Sequence, residues 1–291
     1  MNLLKKLLSI LIISAMLIPA GCASDTQTNI AATTLPVYEL TTLLCNGTDL
    51  KVSRIINDDV SCLHNYTLQV SQMRLLEEAD AVVISGAGLE DFLVDAPKED
   101  SRVIDASIGI LPICPESEHN HHGHHHETDP HIWLSVENGK QMARNIYDGL
   151  CALYPQHADL FSQNLNVVWG KFDDLSLYAQ QQLSSIKTKE IITFHDGFSY
   201  MAQSYGLTIL RSIEEESGSE ASASELIALI QMVKQHQLPA IFVEKNGSSS
   251  AASVISTETG VAVYNLDMGL SGESYFDAMY YNIRQLKEAL S

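Results

Sequence analysis

The sequence predicts an α/β fold of two lobes, each a parallel sheet with covering helices, joined by one long rigid backbone helix. Three observations carry this. Short apolar runs rich in β-branched residues alternate with amphipathic stretches of helical period. These alternations fall into two groups along the chain. Between the groups, from about His157 to Lys187, there is no proline and only one glycine, Gly170. There Leu160, Phe161, Leu165, Val168, Trp169, Phe172, Leu175 and Tyr178 recur at spacings of one, three and four. That spacing makes one helix of roughly thirty residues, about 45 Å long.

The first segment, "MNLLKKLLSILIISAMLIPAGCAS", has a positive start at Lys5 and Lys6 and an apolar stretch from Leu7 to Ile18. Twelve residues are too few to span a bilayer, and the pattern is that of a secretory signal over 1–21. Ala20, Gly21 and Cys22 resemble a bacterial lipobox, which implies that Cys22 carries lipid and anchors the chain to the extracytoplasmic face of the cell membrane. Residues 22–33 are small and polar and read as a flexible tether.

In the first lobe, 34–154, the strand-like runs are "VSRII" (52–56), "AVVIS" (81–85) and "RVIDA" (102–106). Helical patterns cover 69–79 and 136–152. The linking helix is assigned to 155–187. In the second lobe, 188–291, the strands are "EIITF" (190–194), "TILRS" (208–212), "AIFVE" (240–244) and "VAVYN" (261–265). Helical patterns cover 223–236, 248–258 and 273–289, and Ser222 with Glu225 forms a capping box for the first of these.

The net charge is −19, and −21 once the leader lysines are removed. That excludes a nucleic-acid partner, whose phosphates require a basic surface. No other stretch of the chain forms a run of eighteen apolar residues, the length a membrane span needs. Besides Cys22 there are Cys45, Cys62, Cys114 and Cys151. In an exported chain these allow two disulfides in three pairings, inert thiols, or a metal-ligand role for Cys62, two residues before His64, and their spacing matches no CxxC zinc pattern.

Seven of the eleven histidines lie in "EHNHHGHHHETDPHIWL", residues 118–134. His119, His121, His122, His124, His125 and His126 sit in a loop, 116–128, with no fixed geometry. Four other positions stand apart: His64 in "CLHNYTLQ", His131 in "DPHIWL", His195 in "TFHDGFSY" and Asp267 in "YNLDMGLSGESY". Ligands in open α/β sheets bind beyond the carboxyl ends of strands. His195 follows "EIITF" directly and Asp267 lies two residues past "VAVYN". Three imidazoles and a carboxylate suit tetrahedral Zn²⁺.

With "LPVYEL", "LHNYTLQVSQMRLLEEADAVVISGAGLEDFL", "DPHIWL", "ITFHDGFSYMAQSYGL", "IFVEKNGSSSAASVISTETGV" and "GESYFDAM", the chain resembles the substrate-binding lipoproteins of bacterial zinc and manganese ABC uptake systems, the cluster A-I solute-binding proteins. The resemblance implies two lobes with metal between them and a membrane permease as partner, the binding protein acting as a monomer. By position, its ligands fall on His64, His131 and His195, with Asp267 or a water as the fourth. A histidine at the third position, where manganese members carry glutamate, implies Zn²⁺. The histidine-rich insert implies weak, fast-exchanging auxiliary sites for capture, delivery or sensing. In "CLHNY", neither Leu63 nor Asn65 can replace the carboxylate some members place beside the first histidine.

Three rivals remain open at this level. One is manganese uptake. Another is a zinc hydrolase or lyase using an open three-histidine site. The third is an adhesin. "HETDPH" is not HExxH, because it has one residue too many and Pro130 breaks the helix that motif needs.

Overall fold

The structure, a computed structural model, describes residues 29–58, 63, 66–93, 102–113, 128–213 and 221–291. Its first half runs β1 (Asn29–Ala32), α1 (Leu35–Leu44), β2 (Lys51–Arg54), α2 (Val70–Glu78), β3 (Ala81–Ile84), β4 (Arg102–Asp105) and α3 (Val136–Leu153). Then comes α4 (Ala158–Leu183). The second half runs β5 (Glu190–Thr193), α5 (Ser199–Tyr205), β6 (Thr208–Ser212), α6 (Ala223–His236), β7 (Ala240–Glu244), α7 (Ser250–Thr259), β8 (Ala262–Leu266) and α8 (Tyr275–Leu290). The two four-stranded sheets are wholly parallel, in the orders β2-β1-β3-β4 and β6-β5-β7-β8. The two orders are the same when each sheet is counted from its own first strand.

Residues 29–33 correct the tether reading. β1 is an interior strand, paired with both β2 and β3. Ile30, Ala31 and Ala32 are buried. A strand covered on both faces shows no alternation, and small residues let helices approach closely. α1 begins at Leu35–Pro36, with proline in its first turn, where the missing N–H costs nothing.

Helix α4 is 26 residues long. Phe161, Leu165, Val168, Phe172, Leu175 and Ala179 make its buried stripe, at alternating spacings of four and three. A 3-10 turn, Pro155–His157, leads into it, and it ends before Ser184, whose hydroxyl donates back to the Gln181 carbonyl at 3.0 Å. Phe172 packs on Phe276 of α8 with ring centroids 4.9 Å apart, and Tyr178 on Tyr280 at 5.1 Å.

In the second sheet, neighbouring residues divide between two clusters. Ile191, Ala240 and Phe242 join the core that extends through α4, α8 and the first lobe. Ile192, Ile241 and Val243 join a separate cluster with Leu229 and Val233 of α6 and Ile255 of α7. This is the period of two expected of a strand covered on both faces. The Ser222–Glu225 capping box is present at α6.

Cys45 and Cys151 are free thiols, so the scheme of two disulfides among four cysteines does not hold. Cys45 is sealed in the core at the end of α1, and burial pushes its thiol up to about 12. Cys62, Cys114 and the lipobox Cys22 lie outside the described residues.

Glu90 ties together the carboxyl ends of β1 and β3. Its Oε1 accepts from the Thr33 hydroxyl (2.7 Å) and the Ser85 N–H (2.7 Å), and its Oε2 from the Gly86 N–H (2.9 Å). Burial outweighs these donors and, helped by the Asp105 charge, holds the carboxyl up at about 7. The folded chain therefore keeps this proton better than the unfolded chain. The stability contribution is full below the ordinary value near 4.5 and is lost as pH rises to about 7. We expect metal-free protein to lose about 3 kcal/mol across that window relative to Glu90→Gln. Chemical denaturation of both at pH 4.5 and 7.5 checks this, and parallel pH profiles would refute it.

Candidate metal centre

The three strands β5, β7 and β8 are neighbours, so their carboxyl ends form one edge. From this edge rise His195, two residues past β5, Glu244, the last residue of β7, and Asp267, directly after β8. His131 comes from the first lobe, in the segment before the 3-10 turn Ile132–Leu134. That segment is anchored deep in the protein. Ile132, Trp133 and Leu134 are buried, and the Tyr200 hydroxyl donates to the Asp129 carbonyl at 3.2 Å. Ser135 caps α3 immediately afterwards, its hydroxyl accepting from the Asn138 N–H.

His131 and His195 meet between the lobes. Their Nε2 atoms are 3.5 Å apart, with ring planes crossed at 82°. Each ring turns its other nitrogen toward a carboxylate. His131 Nδ1 is 2.8 Å from Asp129 Oδ1, and both residues are buried. His195 Nδ1 faces Glu244 Oε2 at 3.9 Å. The Asp129 contact fixes the His131 ring orientation and the tautomer that leaves Nε2 for a metal, while Glu244 at 3.9 Å lies beyond hydrogen-bond reach of His195. The other Asp129 oxygen, Oδ2, is buried with no hydrogen-bond partner among the described residues. Gly197 lets this pair form, because a Cβ there would lie 2.7 Å from His131 Nδ1 and 2.6 Å from the Met268 methyl.

Glu244 is a buried carboxyl, 6 % exposed. Burial first and the Asp267 charge second push it up to about 8. Asp267 is held by its backbone, whose N–H and carbonyl both bond the Asn282 side chain at 2.7 Å. Its Oδ1 accepts from the Gly269 N–H at 2.9 Å and its Oδ2 from Lys245 Nζ at 3.0 Å.

The loop after Asp267 is fastened to the first lobe. Trp133 Nε1 donates to the Met268 carbonyl at 2.7 Å, and the Tyr275 hydroxyl donates to the Trp133 carbonyl at 2.6 Å. Arg54 Nη1 donates to the Gly272 carbonyl at 2.8 Å. Glu39 of α1 accepts from the Ser274 hydroxyl at 3.2 Å and from the Tyr275 N–H.

The structure thus brings His131 and His195 together, and sets Asp267 on the same edge as His195. His64 and the loop histidines His119, His121, His122, His124, His125 and His126 lie outside the described residues. Among the described residues no group of three histidine, cysteine or acidic side chains is placed to hold a metal ion. Sequence reasoning missed Glu244, Asp129 and Lys245. Glu244 carried a usable signal, since it ends a strand on the edge already singled out by His195 and Asp267.

Two parallel-sheet lobes, a long helix between them and two histidines paired where the lobes meet define a two-lobed α/β protein with a histidine pair at its lobe interface. Residues 30–289 match the family model described as zinc-uptake complex component A, periplasmic. The chain belongs to this family. It is 30% identical to the zinc-binding lipoprotein AdcA of Streptococcus pneumoniae, over 91% of this chain but only 56% of that protein. The chain therefore spans little more than half the length of that relative. A crystal structure of ZnuA matches with TM-score 0.78 at 28% identity, covering 91% of this chain and 100% of the other. A Mn-bound periplasmic metal-binding protein from Candidatus Liberibacter asiaticus matches with TM-score 0.79, over 91% and 100% of the two chains. At 20% identity that likeness shows the fold alone. Among the described residues no helix is long and apolar enough to cross a membrane.

Proposed function

We propose that this protein captures Zn²⁺ between its lobes and delivers it to the membrane permease of an ABC uptake system. His64, His131 and His195 are its ligands, with Asp267 as the fourth, and His119 to His126 add weak, exchangeable equivalents. The observation that carries this reading is the 3.5 Å separation of the two Nε2 atoms. Two nitrogens bound to tetrahedral zinc at about 2.0–2.1 Å lie about 3.3–3.4 Å apart. The paired imidazoles are already nearly at that spacing, and Asp129 orients His131 for it. The zinc-binding relative, AdcA, supports the same choice.

Manganese is the second reading, favoured by two acidic side chains on this sheet edge, Glu244 facing His195 and Asp267 after β8, since oxygen ligands suit Mn²⁺. Competition titration with both ions decides. Zn²⁺ should win by a wide margin, and His195→Glu should narrow it by exchanging nitrogen for oxygen. Equal binding of Mn²⁺ by the unaltered protein would overturn the zinc assignment.

The lipid on Cys22 holds the protein, a monomer, at the outer face of the cell membrane. Cys22→Ser should then move it out of the membrane fraction or leave the precursor unprocessed. Unchanged membrane retention and processing would remove the anchor from this reading.

A further inference from the structure

We propose that Lys245 is a built-in counter-cation that competes with the transported ion for Asp267 and thereby weakens the site and speeds release. The inference rests on the reading of Asp267 as a metal ligand. The geometry begins with strand register. β7 and β8 pair in parallel, with Glu244 opposite Leu266, so Lys245 and Asp267 are the next rung beyond the sheet. The Lys245 N–H continues the ladder by donating to the Leu266 carbonyl at 2.8 Å. The two side chains then meet at 3.0 Å.

Their surroundings differ. The Asp267 side chain is 12 % exposed and that of Lys245 is 54 % exposed. Asp267 cannot turn away, because Oδ1 holds the Gly269 N–H and Asn282 holds its backbone at both ends. Lys245 can, because its ammonium sits on a flexible four-carbon stem that reaches past the Tyr281 ring, 5.4 Å from the centroid. The ammonium lies on Oδ2, the Asp267 oxygen that no backbone N–H occupies.

An arriving dication and this ammonium repel each other and seek the same oxygen. The mobile partner yields, and its loss of the carboxylate is subtracted from the metal's binding free energy. When the metal leaves, Lys245 takes the carboxylate back. A plain surface ion pair elsewhere on the sheet edge would have no such link to metal.

The test compares the unaltered protein with Lys245→Met, Lys245→Arg, Asp267→Asn and the Lys245→Met/Asp267→Asn double variant. Zn²⁺ affinity is read by competition with a chromophoric chelator, and release by stopped flow into excess chelator. Lys245→Met should bind about three- to tenfold more tightly and release correspondingly more slowly. Lys245→Arg, which keeps the charge, should stay close to the unaltered protein. Asp267→Asn should weaken binding, and in that background Lys245→Met should change nothing, because Lys245 acts through Asp267. Lys245→Gln serves if the Met variant fails to fold. If Asp267→Asn weakens binding but neither neutral variant tightens it, the counter-cation is refuted and the ligand reading stands. If Lys245→Met tightens binding equally in both backgrounds, Lys245 does not act through Asp267 and the proposal fails. If Asp267→Asn binds as the unaltered protein does, Asp267 is no ligand and both fall.

Discussion

His131→Ala should weaken Zn²⁺ binding by about 100-fold or more. Removing a mere outer partner of a metal ligand already costs roughly 10–100-fold, and His131 is proposed to touch the ion itself. The substitution also takes the imidazole from Asp129 Oδ1, leaving that oxygen only the residue-131 N–H at 2.9 Å, while Oδ2 already lacks a partner among the described residues. Replacing His119, His121, His122, His124, His125 and His126 with Ser should do the opposite. In the proposed reading these histidines supply only the weak equivalents, so their loss should remove only loose equivalents from a zinc titration. If the loop replacement abolished the tight equivalent while His131→Ala kept it, the two kinds of site would have been assigned the wrong way round.

The largest effect on stability is expected at Trp133. Its side chain is fully buried, lies edge-on to His131 with centroids 5.4 Å apart, and donates across the lobe boundary to the Met268 carbonyl. Trp133→Ala should cost about 3–5 kcal/mol, from lost burial and the cavity left behind. Trp133→Phe keeps much of the packing but leaves the carbonyl unpaired, which costs about 1–3 kcal/mol. Denaturant midpoints of the three proteins test this ordering, and an unmoved midpoint for the Ala variant would contradict the packing described.

The parts of this architecture that repeat or alternate could be read directly. The stripe from Phe161 to Ala179 announces α4 because its four-and-three spacing matches one helix face. His195 and Asp267 could be singled out because strand ends are readable from local apolar runs. β1 could not, since "NIAA" carries neither alternation nor a β-branched run, and only its neighbours β2 and β3 make it a strand. The Lys245–Asp267 pair is hidden for a related reason: 22 residues separate the partners, and only the β7–β8 register brings them together. The carboxylate behind His195 was obscured by its own strand, where "AIFVE" reads as core and its last residue as mere punctuation.

One apolar cluster runs without a break from Ile30 in β1 through Trp133 and Phe172 to Phe198, Phe242 and Ile283. Neither half can expose its share of that cluster without exposing the other's. The chain should therefore melt as one cooperative unit, with a single heat-absorption peak whose calorimetric and van't Hoff enthalpies agree. Zinc, by binding only the folded form, should carry that whole peak to higher temperature rather than split off a more stable half.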